Sequence, residues 1–211
     1  MTQNKMIKVG ITGGSGSGKT MFCDFLKEKS YPIIYADIIS REVHLKYLQM
    51  SEKIKATFGE EFFDGEVLNR KKLGNRIFSN EEDRKKLESI VIPFIIKEID
   101  LRFDEFENQG YKICFLDAPT LFENNLHKKM DYSILIYVDI NIQINRIIKR
   151  DNISFKQAEN MIKSQMNQDE KAKLADFIII NNTTKEYAEE KILEIVKKIE
   201  KDHREKLDDC Y

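Results

Sequence analysis

Residues 7–20 read IKVGITGGSGSGKT, and this stretch decides the fold. The apolar residues 7–11 are followed by a glycine-rich loop and then by residues that can begin a helix. The loop matches the pattern G-x-x-x-x-G-K-[ST]. Glycine tolerates positive φ and close backbone approach, so successive N–H groups and the helix N-terminus can hold an anion. The stretch therefore predicts a phosphate-binding loop between a strand and a helix.

The residues of this loop have different expected roles. The candidate nucleotide contacts are Gly13, Gly14, Ser15, Gly16, Ser17, Gly18, Lys19, Thr20 and Met21. We expect Lys19 to bridge the β- and γ-phosphate oxygens of ATP and the Thr20 hydroxyl to bind Mg²⁺. A glycine turn that only begins a helix is the structural alternative. A chance match somewhere in a chain of this length is on the order of one per cent, which favours the functional interpretation.

The composition argues against several classes of partner. The chain has 211 residues, with 35 basic and 36 acidic ones, so a net charge of −1 gives no bulk attraction to nucleic acid or acidic membranes. The longest apolar runs are too short to span a bilayer, and residues 1–8 lack an apolar signal core. We therefore expect neither nucleic acid nor a membrane as partner. The oligomeric state stays open, and a monomer is compatible with the sequence.

The cysteines indicate a reducing compartment. Cys23, Cys114 and Cys210 are odd in number and widely separated, and two of them lie in apolar surroundings. Buried, reduced thiols are expected from this usage rather than a disulfide or a metal site. The sequence therefore favours a cytoplasmic protein.

Short apolar runs alternate with helical patterns along much of the chain. The runs are residues 7–11, 33–35, 113–116, 133–138 and 177–180. They are nearly continuous in hydrophobicity, as expected for strands buried on both faces. The alternation predicts an α/β fold with a five-stranded parallel sheet and crossover helices. Together with the phosphate loop and the size of the chain, it favours a three-layer P-loop kinase fold. An amphipathic helix is expected over residues 184–206.

Two helical insertions interrupt this pattern. Residues 38–110 show no convincing strand, and they predict an all-helical acceptor-binding lobe with a break or kink at Pro93. A helical cover that only completes the core is the alternative. The polar residues 141–175 predict a helical lid, and the nucleotide-binding core then comprises residues 1–37, 111–140 and 176–211.

Asp37 follows the second predicted strand, where ligands bind in parallel α/β sheets. A carboxylate at this position can accept a hydrogen bond from a substrate hydroxyl and take its proton. It can equally be the N-cap of the next helix. Position alone leaves both interpretations open.

Several segments together resemble one family. Residues 12–19, 36–39, 68–73, 76–78 and 117–123 are similar in order and spacing to the dephospho-coenzyme A kinase family. The same holds for Arg41, Val43, Gln143, Arg146, Arg150, Asp151, Gln165, residues 175–177, Asn181 and Asn182. The resemblance covers residues 6 to about 200. It implies transfer of the ATP γ-phosphate to the ribose 3′-hydroxyl of dephospho-coenzyme A, the final step of coenzyme A synthesis.

The resemblance also implies roles for individual residues. Asp37 would orient or deprotonate the acceptor hydroxyl, and Arg146 and Arg150 would lie in the lid over the phosphates. The implied acceptor contacts are Arg41, Arg76, Pro119 and Phe122 as well as Asp37. Arg146 and Arg150 can also be solvated residues on one face of a polar helix.

The chain departs from the family at Ile92, where a histidine usually precedes the proline of the helical lobe. An imidazole role therefore cannot be transferred to this position. Two other functions stay open on the same scaffold. One is a kinase for a nucleoside or nucleoside monophosphate. The other is a regulatory nucleotide-binding protein that hydrolyses ATP slowly. A GTPase is disfavoured because the chain lacks the N-K-x-D signature.

Overall fold

The computed structural model describes residues 5–78 and 80–208. Cys210, used in the cysteine argument, and residues 1–4, used in the argument on a signal core, lie outside the described residues. The chain divides into two compact units. The first combines the described residues up to Ile34 with those from Glu105 onward, and the second is Tyr35–Asp104.

The strands within the described residues are, in chain order, β1 (Ile7–Thr12), β2 (Ile33–Tyr35), β3 (Phe63–Asp64), β4 (Val67–Leu68), β5 (Ile113–Asp117), β6 (Tyr132–Tyr137) and β7 (Phe177–Ile180). The helices are α1 (Lys19–Glu28), α2 (Ala36–Lys46), α3 (Leu48–Phe58), α4 (Arg70–Phe78), α5 (Glu81–Asn108), α6 (Ile140–Asp151), α7 (Phe155–Lys163), α8 (Gln168–Leu174) and α9 (Lys185–Asp208). Short 3₁₀ turns lie at Glu60–Phe62 and Leu126–Lys129.

The first unit is built on a five-stranded sheet, which confirms the predicted fold class. The strand order is β2-β5-β1-β6-β7, and β1 pairs in parallel with both β5 and β6. The central strands are almost entirely buried, with Val9, Phe115 and Ile134 at 0% exposure. Because parallel strands end at a common edge, the loops after β1, β5 and β6 meet at the carboxyl edge of the sheet.

The prediction of two-sided burial is wrong for β7. Ile178 and Ile180 are 44% and 57% exposed, whereas Ile179 between them is buried. The strand lies at the end of the sheet order, so a single neighbouring strand pairs with it. An edge position explains why a continuous run of isoleucines alternates between core and solvent.

The last helix is amphipathic, as expected. α9 extends over Lys185–Asp208, and Ala188, Ile192, Val196 and Ile199 along it are buried. It packs against β7 and α1. No helix of residues 5–78 and 80–208 is both long and apolar enough to cross a membrane.

The second unit has its own apolar core. Val43, Met50, Ile54, Phe62, Phe63 and Leu73 form a buried cluster. The prediction of an all-helical insertion is wrong, because β3 and β4 form an antiparallel hairpin that pairs Asp64 with Val67. Gly65 has a φ of 64° in the turn. The two turn residues are Gly65 and Glu66, and a glycine at the first turn position is a hairpin signal, but two-residue strands are too short to show alternation.

Pro93 does not break the chain's longest helix. α5 continues through it from Glu81 to Asn108, so a break is excluded, and a kink stays a prediction. Proline removes one intrahelical hydrogen bond. Leu87, Ile90, Val91, Phe94 and Ile95 pack against the core cluster on both sides of Pro93. This packing offsets the lost hydrogen bond.

Candidate active site

The phosphate loop connects β1 to α1. Gly16 and Gly18 have φ of 77° and 87°, the left-handed region that glycine alone adopts without strain. The Ser17 N–H donates to the Gly14 carbonyl at 3.0 Å, which closes a tight turn. Gly18 is the N-cap of α1 and has no side chain to cap the first turn. The N–H groups of that turn are therefore available to an anion.

Lys19 lies against an acidic residue from the neighbouring strand. Its Nζ forms an ion pair with Oδ1 of Asp117, the last residue of β5. The two side chains are only 11% and 10% exposed. The pairing of β1 with β5 brings Ile11 opposite Asp117. The sheet register thus places a carboxylate beside the loop lysine.

Thr20 is exposed in the first turn of α1. The described residues contain no group of three or more His, Cys, Asp or Glu side chains that could hold a metal by themselves. Mg²⁺ is usually bound through one or two protein oxygens together with substrate phosphates and water. A hydroxyl in the first turn and a carboxylate at the end of β5 suit that type of site.

The two arginines of α6 both reach the phosphate loop. Arg146 donates from Nη2 to the Asn181 carbonyl at 3.1 Å and from Nη1 to the Ser17 carbonyl at 3.4 Å. Arg150 donates from Nη2 to Ser15 Oγ at 3.0 Å. It also binds Asp151 through Nε and Nη2, each at 2.8 Å, and these bonds hold the pKa of the Asp151 carboxyl below its usual range. The solvated interpretation is therefore wrong for Arg146, whereas the Arg150 side chain is 56% exposed and contacts the loop from the solvent side.

Two glutamines hold the backbone of Ser15. Gln143 Nε2 donates to the Ser15 carbonyl at 2.7 Å, and the Ser15 N–H donates to Gln165 Oε1 at 2.9 Å. A third amide, Asn181 Nδ2, donates to the Ser17 carbonyl at 2.7 Å. Gln143 and Asn181 are 3% and 4% exposed. The outer side of the loop is thus fixed by side chains from α6, from the segment after α7 and from the end of β7.

The loop after β5 is fixed through the carbonyl of Pro119. This oxygen accepts a hydrogen bond from Thr12 Oγ1 at 3.1 Å and one from Lys171 Nζ at 2.7 Å. Lys171, on α8, is 1% exposed and also pairs with Glu123 Oε1 at 2.8 Å. Phe122 is buried, and its ring lies 5.1 Å from that of His127.

The remaining predicted residues belong to the second unit. Asp37 is exposed in the first turn of α2, whose N-cap is Tyr35, so the N-cap interpretation of Asp37 is wrong. Arg41 is exposed on the same helix. Arg76, on α4, pairs through Nε with Asp83 Oδ2 at 2.7 Å, and its side chain is 59% exposed.

A cavity of about 490 Å³ adjoins the loop within the first unit. Its lining joins the loop, the end of β6 and the segment between α7 and α8, and includes Gly14, Tyr137, Gln143, Ile162, Gln165 and Gln168. The volume lies in the range of small-molecule sites, and the mixed polar and apolar lining is typical of them.

Comparison with known proteins then identifies the family. The model of the family described as dephospho-CoA kinase matches residues 7–186. The chain belongs to the dephospho-CoA kinase family. A dephospho-CoA kinase of Clostridium tetani is 42% identical over 184 residues, covering 86% of this chain and 81% of the relative. One of Clostridium perfringens is 42% identical over 178 residues, covering 84% and 89%.

A solved structure shares the fold of this chain over most of its length. A crystal structure of a Thermus thermophilus protein is 27% identical, with a TM-score of 0.78, and covers 90% of this chain and 96% of that protein. Asp117, Asn181 and Lys171 contact the site of this dephospho-CoA kinase family member but are not among the residues that the sequence predicts for it. Asp117 and Asn181 lie in segments that carry the family resemblance, and Lys171 lies in the polar stretch of residues 141–175. Their partners lie far away in sequence, and for Lys171 no local signal marks burial.

Proposed function

We propose that this protein is a dephospho-CoA kinase that transfers the γ-phosphate of ATP to the ribose 3′-hydroxyl of dephospho-CoA. The observation that carries the proposal is the match to the family over residues 7–186, which contain a phosphate loop with Lys19 beside Asp117. Phosphoryl transfer needs mainly positioning and charge neutralisation. The loop N–H groups, Lys19 and the lid arginines are suited to both tasks.

On the donor side, Lys19 neutralises charge on the β- and γ-phosphates as the γ-group departs. Asp117 holds the lysine at the carboxyl edge of the sheet until the phosphates arrive. When bound, Mg²⁺ neutralises phosphate charge and orients the phosphates, and Thr20 and Asp117 are the residues that would hold it. Arg146 and Arg150 are in contact with residues of the loop already, so they lie beside the donor site.

On the acceptor side, Asp37 orients the 3′-hydroxyl and accepts its proton, while Arg41, Arg76, Pro119 and Phe122 contact dephospho-CoA. Exposure of Asp37 on the first turn of α2 is compatible with this role. The hydrogen bonds from Lys171 and Thr12 to the Pro119 carbonyl support a role of this loop in acceptor binding, because they fix the loop backbone. Residues 38–110 then form the acceptor-binding lobe and residues 141–175 the lid.

The test is a coupled assay of ADP release with a panel of acceptors. We expect dephospho-CoA to stimulate ADP release and the product to carry a new 3′-phosphate, detected by mass spectrometry. Stimulation by nucleosides or nucleoside monophosphates instead would overturn the proposal. ADP release that is independent of any acceptor would indicate a regulatory ATPase.

A further inference from the structure

Two carbonyls on the outer side of the phosphate loop are each bound by a buried side-chain amide. We propose that Gln143 and Asn181 are positioning residues: by holding the Ser15 and Ser17 carbonyls, they aim the N–H groups of Gly16 and Gly18 at the phosphates. The inference rests on the proposed use of this loop as the phosphate-donor site.

The argument begins with peptide geometry. Gln143 Nε2 lies 2.7 Å from the Ser15 oxygen, and Asn181 Nδ2 lies 2.7 Å from the Ser17 oxygen. Each carbonyl shares a planar peptide group with the N–H of the following glycine. In a trans peptide, the N–H points away from the C=O. Fixing the two carbonyls against α6 and the end of β7 therefore turns the N–H groups of Gly16 and Gly18 to the opposite side of the loop.

The glycines themselves make this control necessary. Gly16 and Gly18 lack a Cβ and have positive φ, so their backbone is less restricted than that of the neighbouring serines. Without an external contact their peptide groups can rotate at little cost. A hydrogen bond from a buried amide supplies the constraint that the glycine backbone lacks.

The packing shows how closely the anchors approach. A Cβ on Gly18 would lie 2.3 Å from Asn181 Nδ2. A Cβ on Gly16 would lie 2.8 Å from Ile147 Cγ1 and 2.9 Å from the Gln143 carbonyl oxygen. The loop therefore requires glycine at these positions because protein atoms fill the space of a side chain. Close approach of the phosphates is not needed to explain glycine at these two positions.

The hydrogen bonds of the Gln143 amide indicate that this side chain positions the loop and does not only fill space beside it. Its Oε1 is buried and has no hydrogen-bond partner among the described residues. A buried acceptor without a partner destabilises the fold, and a methionine of similar length would remove that cost. The opposite amide orientation would set Oε1 against the Ser15 oxygen, where two acceptors repel. Position 143 thus holds a glutamine whose Nε2 donates to the loop, although its buried Oε1 lacks a partner among the described residues and lowers stability.

The experiment measures binding of ADP and of inorganic tripolyphosphate by calorimetry on the Gln143→Met and Asn181→Leu variants. Both changes keep the charge and the approximate size of the side chain but remove the donor. We expect each variant to bind both ligands about 10-fold more weakly, the effect of losing roughly one hydrogen bond. We expect the unliganded Gln143→Met variant to be as stable as the wild type or more so.

The matched controls are Gln109→Met and Asn108→Leu, which make the same substitutions at exposed positions of the same unit outside the lid. They should bind both ligands as the wild type does. Wild-type affinity in both folded test variants would overturn the inference, as would a lower melting temperature of Gln143→Met with unchanged affinity. If one test variant fails to fold, the other decides. Because no acceptor is present, failure of the proposed acceptor in the coupled assay leaves this result unaffected.

Discussion

The Lys19–Asp117 ion pair links the phosphate loop to the neighbouring strand. Both partners are mostly buried, so each charge depends on the other. Removing one partner of a buried pair leaves an uncompensated charge, which commonly costs about 3–5 kcal/mol of stability. Lys19 therefore has two roles, one in the resting fold and one towards phosphate.

We predict that Lys19→Ala lowers kcat by a factor on the order of 10² to 10³, because a major source of transition-state charge neutralisation is lost. The measurement is the coupled assay, with Lys27→Ala at the exposed end of α1 as control. The double variant Lys19→Ala/Asp117→Asn removes the unpaired carboxylate and should regain melting temperature without regaining activity. Near-normal turnover of Lys19→Ala would contradict the phosphate role.

Asp37 is the second residue that the proposed chemistry depends on. We predict that Asp37→Asn lowers turnover while leaving ADP affinity nearly unchanged, because a base or orienting group acts on the acceptor. The loss should be smaller than for Lys19→Ala if Asp37 only orients the hydroxyl. Steady-state kinetics and calorimetry measure the two effects, with Glu52→Gln on α3 as the exposed control. A collapse of ADP affinity would instead indicate a metal-site or structural role.

Among the elements, α5 carries the one proline that lies within a helix of the described residues. Pro93 is exposed, so its side chain contributes little packing, while its ring removes one backbone hydrogen bond. We predict that Pro93→Ala stabilises the protein by about 1–3 kcal/mol, which raises the melting temperature by roughly 3–10 °C.

Calorimetric unfolding measures this stabilisation. Asp104→Ala, also exposed on α5, serves as control, since it changes helix propensity without restoring a hydrogen bond. An unchanged or lower melting temperature of Pro93→Ala would mean that α5 needs the local geometry that proline imposes. In that case the coupled assay should also show reduced activity.

The cores of the two units were predictable to different degrees. In the first unit, the strands coincide with continuous apolar runs, so the hydrophobic pattern of the sequence predicts them. In the second, the hairpin of β3 and β4 is too short to show a period, and Phe62 and Phe63 join the core through tertiary packing. The N-cap interpretation of Asp37 failed because α2 begins at Ala36, directly after β2, two residues earlier than an N-cap at Asp37 requires.

Across the folded chain, the described cysteines report on global unfolding. Cys23 and Cys114 are fully buried and free, as expected from the sequence. Burial raises the pKa of each thiol to about 12, although Lys19 opposes the shift at Cys23 and Lys8 opposes it at Cys114. The thiolate, which is the reactive form, is therefore scarce in the native state.

We predict that a Cys210→Ser variant shows almost no thiol labelling at pH 8 in buffer and labelling of two thiols in guanidinium chloride. ADP should slow the native labelling further, because it binds the folded state. Above about pH 9 the unfolded thiols ionise while the native ones stay neutral. Stability should therefore fall as pH rises from about 9 to 12. Rapid stoichiometric labelling of the native chain would contradict the burial.

The sequence by itself determined the phosphate loop, the α/β alternation and the family, because these depend on residue types at fixed short spacings. Only the tertiary structure decided which side chains hold that loop. Asp117 reaches Lys19 across 98 residues, and Asn181 reaches Ser17 across 164. The order of the strands brings these residues together, and strand order is set by long-range packing rather than by local pattern. The tertiary structure also gives a second reason for glycine at positions 16 and 18. The space beside Gly16 and Gly18 is filled by the residues that hold the loop.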